Sequence, residues 1–220
     1  MPLISALADD FNDNVVDAVK WPHSFGTYSE VGGRARISCD TGFNAYSSAS
    51  TYTLAESSVQ LRGYPPAAGG ATTEAWAQIL VLSGISGTDL GFELRALTGQ
   101  LVMFSRTGFF DAAAVTIPYS ATDHAWLRIR EAGGVTYWET SADALTWTTR
   151  RSIASPAWVG GTTLEFQLIA HRSDGVNDFA EFDNVNTPPP MGKARSATGS
   201  TPLARPGIPA VASARAGGES

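Results

Sequence analysis

Glu181 and Asp183, alternating in Phe179-Ala-Glu-Phe-Asp-Asn-Val185, are the nearest approach in this sequence to two acids on one strand face. Cleavage of a glycosidic bond uses such a pair, with carboxyl groups about 5–5.5 Å apart for retention and about 6.5–9.5 Å for inversion. Asp174 and Asp178 are the next nearest pair. No third acid accompanies Glu181 and Asp183, and the segment closes the patterned part of the chain, so they read as solvated charges at a sheet edge. Nucleophilic serine chemistry needs Ser, His and an acid brought together. The three histidines, His23, His124 and His171, accompany no Gly-x-Ser-x-Gly elbow, and each reads as structural. No two His or Cys residues have zinc-ligand spacing. Gly84-Ile-Ser-Gly87 and Gly160-Gly161 lack the lysine or helix context of a phosphate loop. Cys39, the single cysteine, cannot form an intrachain disulfide and reads as a buried strand thiol rather than a nucleophile.

Aromatic residues offer a different chemistry. Sugars stack on flat rings and bond to polar neighbours. Trp126, Trp138 and Trp147 lie on three consecutive expected strands, and Arg128 and Arg130 share strand parity with Trp126. These five residues are the candidate carbohydrate-binding set. The competing reading puts Trp138 and Trp147 in the core, where large aromatics usually go.

The elements that must position these residues are strands. Period-two alternation runs through Arg34–Ser38, Ser57–Arg62, Ala125–Arg130 and Val135–Thr140. Ala75–Ser83 is more continuously apolar and suits a central strand, and Gly91–Leu97 with Thr98–Arg106 reads as a hairpin across Thr98-Gly99. Leu145–Arg150, Thr163–His171 and Phe179–Val185 complete the set. Short strands punctuated by Gly, Pro, Asn and Asp indicate an antiparallel sandwich or barrel. Helical signal is confined to a turn or two within 12–19 and one near Asp111–Ala114, since no segment sustains an apolar stripe of helical period. Phe11 and Phe182, at opposite ends of this region, are expected to anchor the core where the first and last strands meet, with their flanking acids outside.

At Pro188-Pro189-Pro190 the composition changes. Residues 188–220 hold six Pro, seven Ala, five Gly and four Ser, with no aromatic residue. Such a segment has too little apolar surface to offset the entropy of ordering it. The expected domains are therefore a sandwich over 1–187 and an extended Pro/Ala/Gly/Arg-rich arm over 188–220. The sandwich carries 11 Lys+Arg against 20 Asp+Glu, while the arm is net basic. An acidic body argues against nucleic-acid binding, which needs clustered basic residues. Nothing approaches the roughly 20 apolar residues of a membrane helix. The N-terminus has no basic segment followed by an apolar run, so no signal peptide is expected.

The combination of Asp9-Asp-Phe-Asn12, Trp21, Gly32–Ile37, Thr51–Leu54, Thr136–Thr148 and Phe179–Asn186 resembles the concanavalin A-like lectin/glucanase jelly-roll superfamily. Ser141-Ala-Asp-Ala-Leu-Thr-Trp147 is similar to a Ser-x-Asp-Gly-x-Thr-Trp hairpin of such domains, with Ala144 where Gly is usual. The resemblance implies an all-β fold, an antiparallel jelly-roll β-sandwich. Its glucanase branch carries a Glu-x-Asp-x-x-Glu run, which this sequence lacks. The superfamily often holds structural calcium, and Asp9, Asp10, Asp183 and Asn184 would be its ligands here if the termini pair; no other cofactor is expected. The composition of 188–220 also resembles the ends of minor tail and other virion proteins of phages infecting actinobacteria.

These readings lead to an expectation of a non-enzymatic virion structural protein, on the tail or capsid surface. It would display the sandwich, contact host-surface glycans, and assemble with other virion subunits and as a homo-oligomer. Arg195, Arg205 and Arg215 would anchor the arm on its neighbours. A free carbohydrate-binding module or lectin is the alternative, and a glycoside hydrolase comes third.

Overall fold

The computed structural model describes residues 1–188. The arm residues Arg195, Arg205 and Arg215 lie outside the described residues. Thirteen strands among the described residues form two antiparallel sheets. The seven-stranded sheet runs β1 (Tyr28–Glu30), β2 (Ala35–Cys39), β13 (Asp178–Asp183), β4 (Ser58–Tyr64), β9 (Trp126–Ala132), β10 (Val135–Ser141) and β11 (Thr148–Ala154). The six-stranded sheet runs β3 (Asn44–Ser47), β12 (Glu165–Arg172), β5 (Ala75–Leu82), β6 (Asp89–Arg95), β7 (Gln100–Arg106) and β8 (Val115–Pro118). This is the expected jelly-roll sandwich.

Alternation builds the core. In β4, Val59 and Leu61 point inward between outward Ser58, Gln60, Arg62 and Tyr64. In β6, inward Leu90, Phe92 and Leu94 meet Ile79 and Met103 of the flanking strands. Phe11 and Phe182 are both fully buried, and Asp9 bridges Val185, so the ends of the domain do lie side by side. Asp9 itself departs from expectation. It is buried and accepts the Trp21 indole N–H at 2.9 Å, because an indole donor taken from water needs an acceptor.

Three further expectations are corrected. β13 is an interior strand between β2 and β4, so Glu181 and Asp183 are not edge charges. Glu181 instead receives Arg34 at 2.6 Å and Arg36 at 2.6 Å. Residues 12–19 form turns and bends; the single-turn helices lie at Ile4–Ala6 and Ala157–Gly160. Trp138 belongs to the core: it is fully buried, and its indole N–H donates to the Gly91 carbonyl of the opposite sheet at 2.9 Å.

Candidate functional site

The register of the six-stranded sheet lays out its outer face as rows of neighbours. One row is Glu165, Leu82, Asp89 and Arg106; the next is Ser47, Gln167, Leu80, Gly91 and Phe104. Then follow Ala45, Ile169, Gln78, Glu93 and Val102, and finally His171, Trp76, Arg95 and Gln100. A groove of about 590 Å³ crosses these rows along β5. It runs from Phe43 and Trp76 at one end to Ile85 and Phe109 at the other, over a floor of Gln78, Leu80, Gln167 and Ile169. The seven residues of strand from Trp76 to Leu82 span about 20 Å.

Each wall has a local cause. At one end Phe43 stacks on His171, with ring centres 4.3 Å apart and planes 9° from parallel. His171 is fixed by donating from Nδ1 to the Gly42 carbonyl at 3.0 Å. Trp76 lies beside both rings, its indole N–H on Glu74 at 3.0 Å. At the other end the Phe109 N–H donates to the Gly87 carbonyl at 2.9 Å, which joins the two loops forming that wall. Phe109 has a left-handed backbone, φ 66°, a conformation costly for a side-chain-bearing residue, and its ring stays 69% exposed.

Two carboxylates on β6 face this side. Asp89 takes two hydrogen bonds from Arg106, at 2.7 and 3.1 Å. Burial pushes its carboxyl above the ordinary value, against the opposing pull of Arg106. Glu93 is held by the Gln78 amide on β5 and by Arg95. Their Cα atoms are four strand residues, about 13 Å, apart, with Gly91 between them. A side chain at Gly91 would drive into the Ile79 carbonyl and the Phe104 ring, so this strand has no room for an acid at its middle position. The face can stack ring-shaped ligands at both ends and offer amide and charged hydrogen-bonding groups between.

The sequence-level candidates lie on the other sheet or in the core. Trp126, Arg128 and Arg130 face outward from β9, as their parity required, but Trp126 is only 3% exposed and is covered by Ala144 and Trp147. It is thus closed to a stacked sugar. Trp147 precedes β11 and lies under the Arg128 guanidinium, 4.0 Å from its ring centre. Arg128 and Arg130 both pair with Glu139, at 2.7 and 2.9 Å. Trp138 is inside the sandwich, on no surface. Three of the four expected calcium ligands spend oxygens elsewhere: Asp9 on Trp21, Asp10 on the Asn12 N–H, and Asn184 on the Thr187 hydroxyl, while Asp183 lies on β13 opposite Arg62 in register. Among the described residues no group of three His, Cys, Asp or Glu side chains is arranged to hold a metal ion. Of the catalytic pair weighed at Glu181 and Asp183, Glu181 is taken up by Arg34 and Arg36. Asp89 and Glu93 were missed because the strand was read from Gly91 onward, which left Asp89 in the preceding turn.

No family model and no curated protein matches the sequence. Solved structures do share the fold. The catalytic domain of an endo-1,3-beta-glucanase (laminarinase) from Thermotoga petrophila RKU-1 superposes with a TM-score of 0.58 at 10% identity, over 81% of this chain and 94% of that one. A Bacillus licheniformis beta-glucanase gives 0.58 at 11% identity, over 81% and 95%. A beta-1,3-1,4-glucanase (lichenase) derived from a mouse hindgut metagenome gives 0.55 at 12%, over 81% and 96%. The chain thus has the concanavalin A-like jelly-roll fold seen in β-glucanases. The expectation of a non-enzymatic protein is corrected here, because the three structures just named, which share this sandwich, are enzymes. They lend no support to a virion setting.

Proposed function

We propose that this protein recognises a linear β-glucan chain held along the groove on the six-stranded sheet. The observation that carries this reading is the groove itself, with Phe43 and Trp76 at one end, Phe109 at the other, and amides on the floor between. Aromatic faces stack on the apolar faces of sugar rings, and Gln78, Gln167 and the Asp89–Arg106 pair supply hydrogen-bonding groups for hydroxyls. The glucanases that share the fold supply the ligand class. A glycan array probed with the full chain tests it: signal on β-1,3 or mixed-linkage β-glucans, lost in Trp76→Ala, is expected, and uniform silence on β-glucans contradicts it.

Cleavage of the bound chain is a second reading, favoured by the placement of Asp89 and Glu93 on one face of β6, beside the groove. Burial raises the Asp89 carboxyl above its ordinary value, the direction a general acid requires. The pair must lean together from their strand spacing to work across one bond. Reducing-end release from β-glucan by the full chain, abolished in Glu93→Gln, supports cleavage; binding with no release removes it.

The setting in a phage particle, with other virion subunits as partners, rests on the composition of residues 188–220 alone. Deleting those residues is expected to leave a soluble protein that no longer enters particles, and normal incorporation contradicts the assembly role.

A further inference from the structure

The outer face of the seven-stranded sheet carries charge of the opposite sign to the rest of the molecule. Arg34, Arg36, Arg62, Arg128 and Arg130 project from it against three carboxylates, Glu139, Glu181 and Asp183. Residues 1–187 as a whole carry 11 basic and 20 acidic residues. The face therefore concentrates nearly half of the basic side chains, while everything outside it is strongly acidic.

Most of these arginines are already engaged. Arg34 and Arg36 share Glu181, and Arg128 and Arg130 share Glu139. Arg62, at the centre on β4, differs. It makes no hydrogen bond to any described residue, and its buried Nε has no partner. Its guanidinium lies between the rings of Tyr64, at 5.3 Å, and Trp126, at 5.8 Å. Asp183, its register neighbour, makes no ion pair with it. An arginine fork left open beside aromatic rings matches a carboxylate, which accepts two parallel N–H bonds.

We infer that this face docks the acidic surface of a second copy of the same chain, with Arg62 as its anchor. Two observations favour a protein over a polysaccharide. The aromatic rings here are buried or covered by guanidinium groups, so a sugar finds little to stack on. Arginine and aromatic residues around a central anchor are also the composition of protein interfaces. Charge complementarity favours another copy, because its exposed Asp10 and Asp13 and half-buried Asp17 lie together in one N-terminal loop with exposed Val15 and Val19. A contact between two different patches is heterologous and lets subunits add in series.

Sedimentation velocity of the full chain over a concentration series tests this. At about 20 mM salt, where charges are weakly screened, the sedimentation coefficient should rise with concentration, and at about 0.5 M salt the rise should vanish. Arg62→Glu should abolish association at low salt, and Arg62→Gln should weaken it about tenfold, with unchanged circular dichroism because Arg62 bonds to nothing within the fold. Reversing Asp13 and Asp17 to lysine should have the same effect from the other side. A wild type that stays monomeric at low salt, or an Arg62→Glu variant that associates normally, overturns the inference. So does Arg62-dependent binding of oligogalacturonate by a monomer, which would assign the face to an acidic polysaccharide.

Discussion

Arg151 Nη1 and Asp111 Oδ2 meet at 2.6 Å and tie one wall of the groove to the opposite sheet. Arg151 reaches inward from β11, also donates to the Met103 carbonyl at 2.7 Å, and lies 4.9 Å from the Trp138 ring centre. Asp111 sits at the base of the loop carrying Phe109 and accepts the N–H groups of Ser105 and Ala113 at 2.7 and 2.8 Å. Both side chains are nearly buried, so the pair is screened little by water. Asp111→Asn leaves Arg151 an uncompensated buried cation. A loss of about 3 kcal/mol in denaturant unfolding is expected. Hydrogen exchange in residues 105–113 should also quicken more than in β5. A uniform change over both segments would contradict a specific hold on the wall.

Burial acts on the Asp111 carboxyl in the upward direction, but Arg151 and the backbone donors outweigh it and hold the group below its ordinary value. The stability it contributes is therefore complete above the ordinary value of 3.8 and lost as pH falls below it. Between pH 2 and 4 the wild type should lose stability more steeply than Asp111→Asn, as read from melting temperature against pH.

Glu30 predicts the opposite sign. Burial, then the nearby Asp9 charge, push its carboxyl from 4.5 to about 7, and the Tyr46 hydroxyl donates to it at 3.2 Å. The folded state thus holds a proton that the unfolded chain releases. Stability from this group is full below pH 4.5 and declines as pH rises toward 7. Glu30→Gln keeps the shape without the charge and should flatten that decline. An unchanged slope of melting temperature between pH 4.5 and 7 would mean Glu30 is ionised in the native protein.

Gly91 lets the centre of the groove face exist. A Cβ there meets the Ile79 carbonyl and crowds Leu80 and Phe104. Gly91→Ala should cost about 1–3 kcal/mol, the usual cost of overfilling a packed site. A neutral substitution, measured by urea unfolding, would show that β5 and β6 separate there more easily than their contacts imply.

Much of this fold was legible from the residues. Alternation in β4 and β9 marked inward and outward positions correctly, and the Thr98-Gly99 turn gave the β6–β7 hairpin, with Gly99 at φ 60°. Ala144, the departure from the usual Gly, adopts φ 60° and so bears the strain its position implied. The candidate site was less legible, for reasons of register. The Gly133-Gly134 turn pairs Val135 with Ala132, which sets Trp138 opposite Ile129 and hence in the core. Strand parity alone, without the turn, left Trp138 free to share a face with Trp126. β1, β3 and β8 are three or four residues long, too short for alternation to mark them. The groove joins Phe43, Trp76 and Phe109 from three separate segments, and only tertiary pairing places them on one face.

Calorimetric titration of the full chain with a linear β-glucan hexasaccharide, run on wild type, Trp76→Ala and Arg62→Gln, tests whether the groove holds the glucan. Saturable one-site binding to wild type is expected, weakened at least about tenfold by Trp76→Ala through loss of ring stacking and unchanged by Arg62→Gln on the opposite face. Equal binding by wild type and Trp76→Ala, or loss of binding in Arg62→Gln alone, would contradict it.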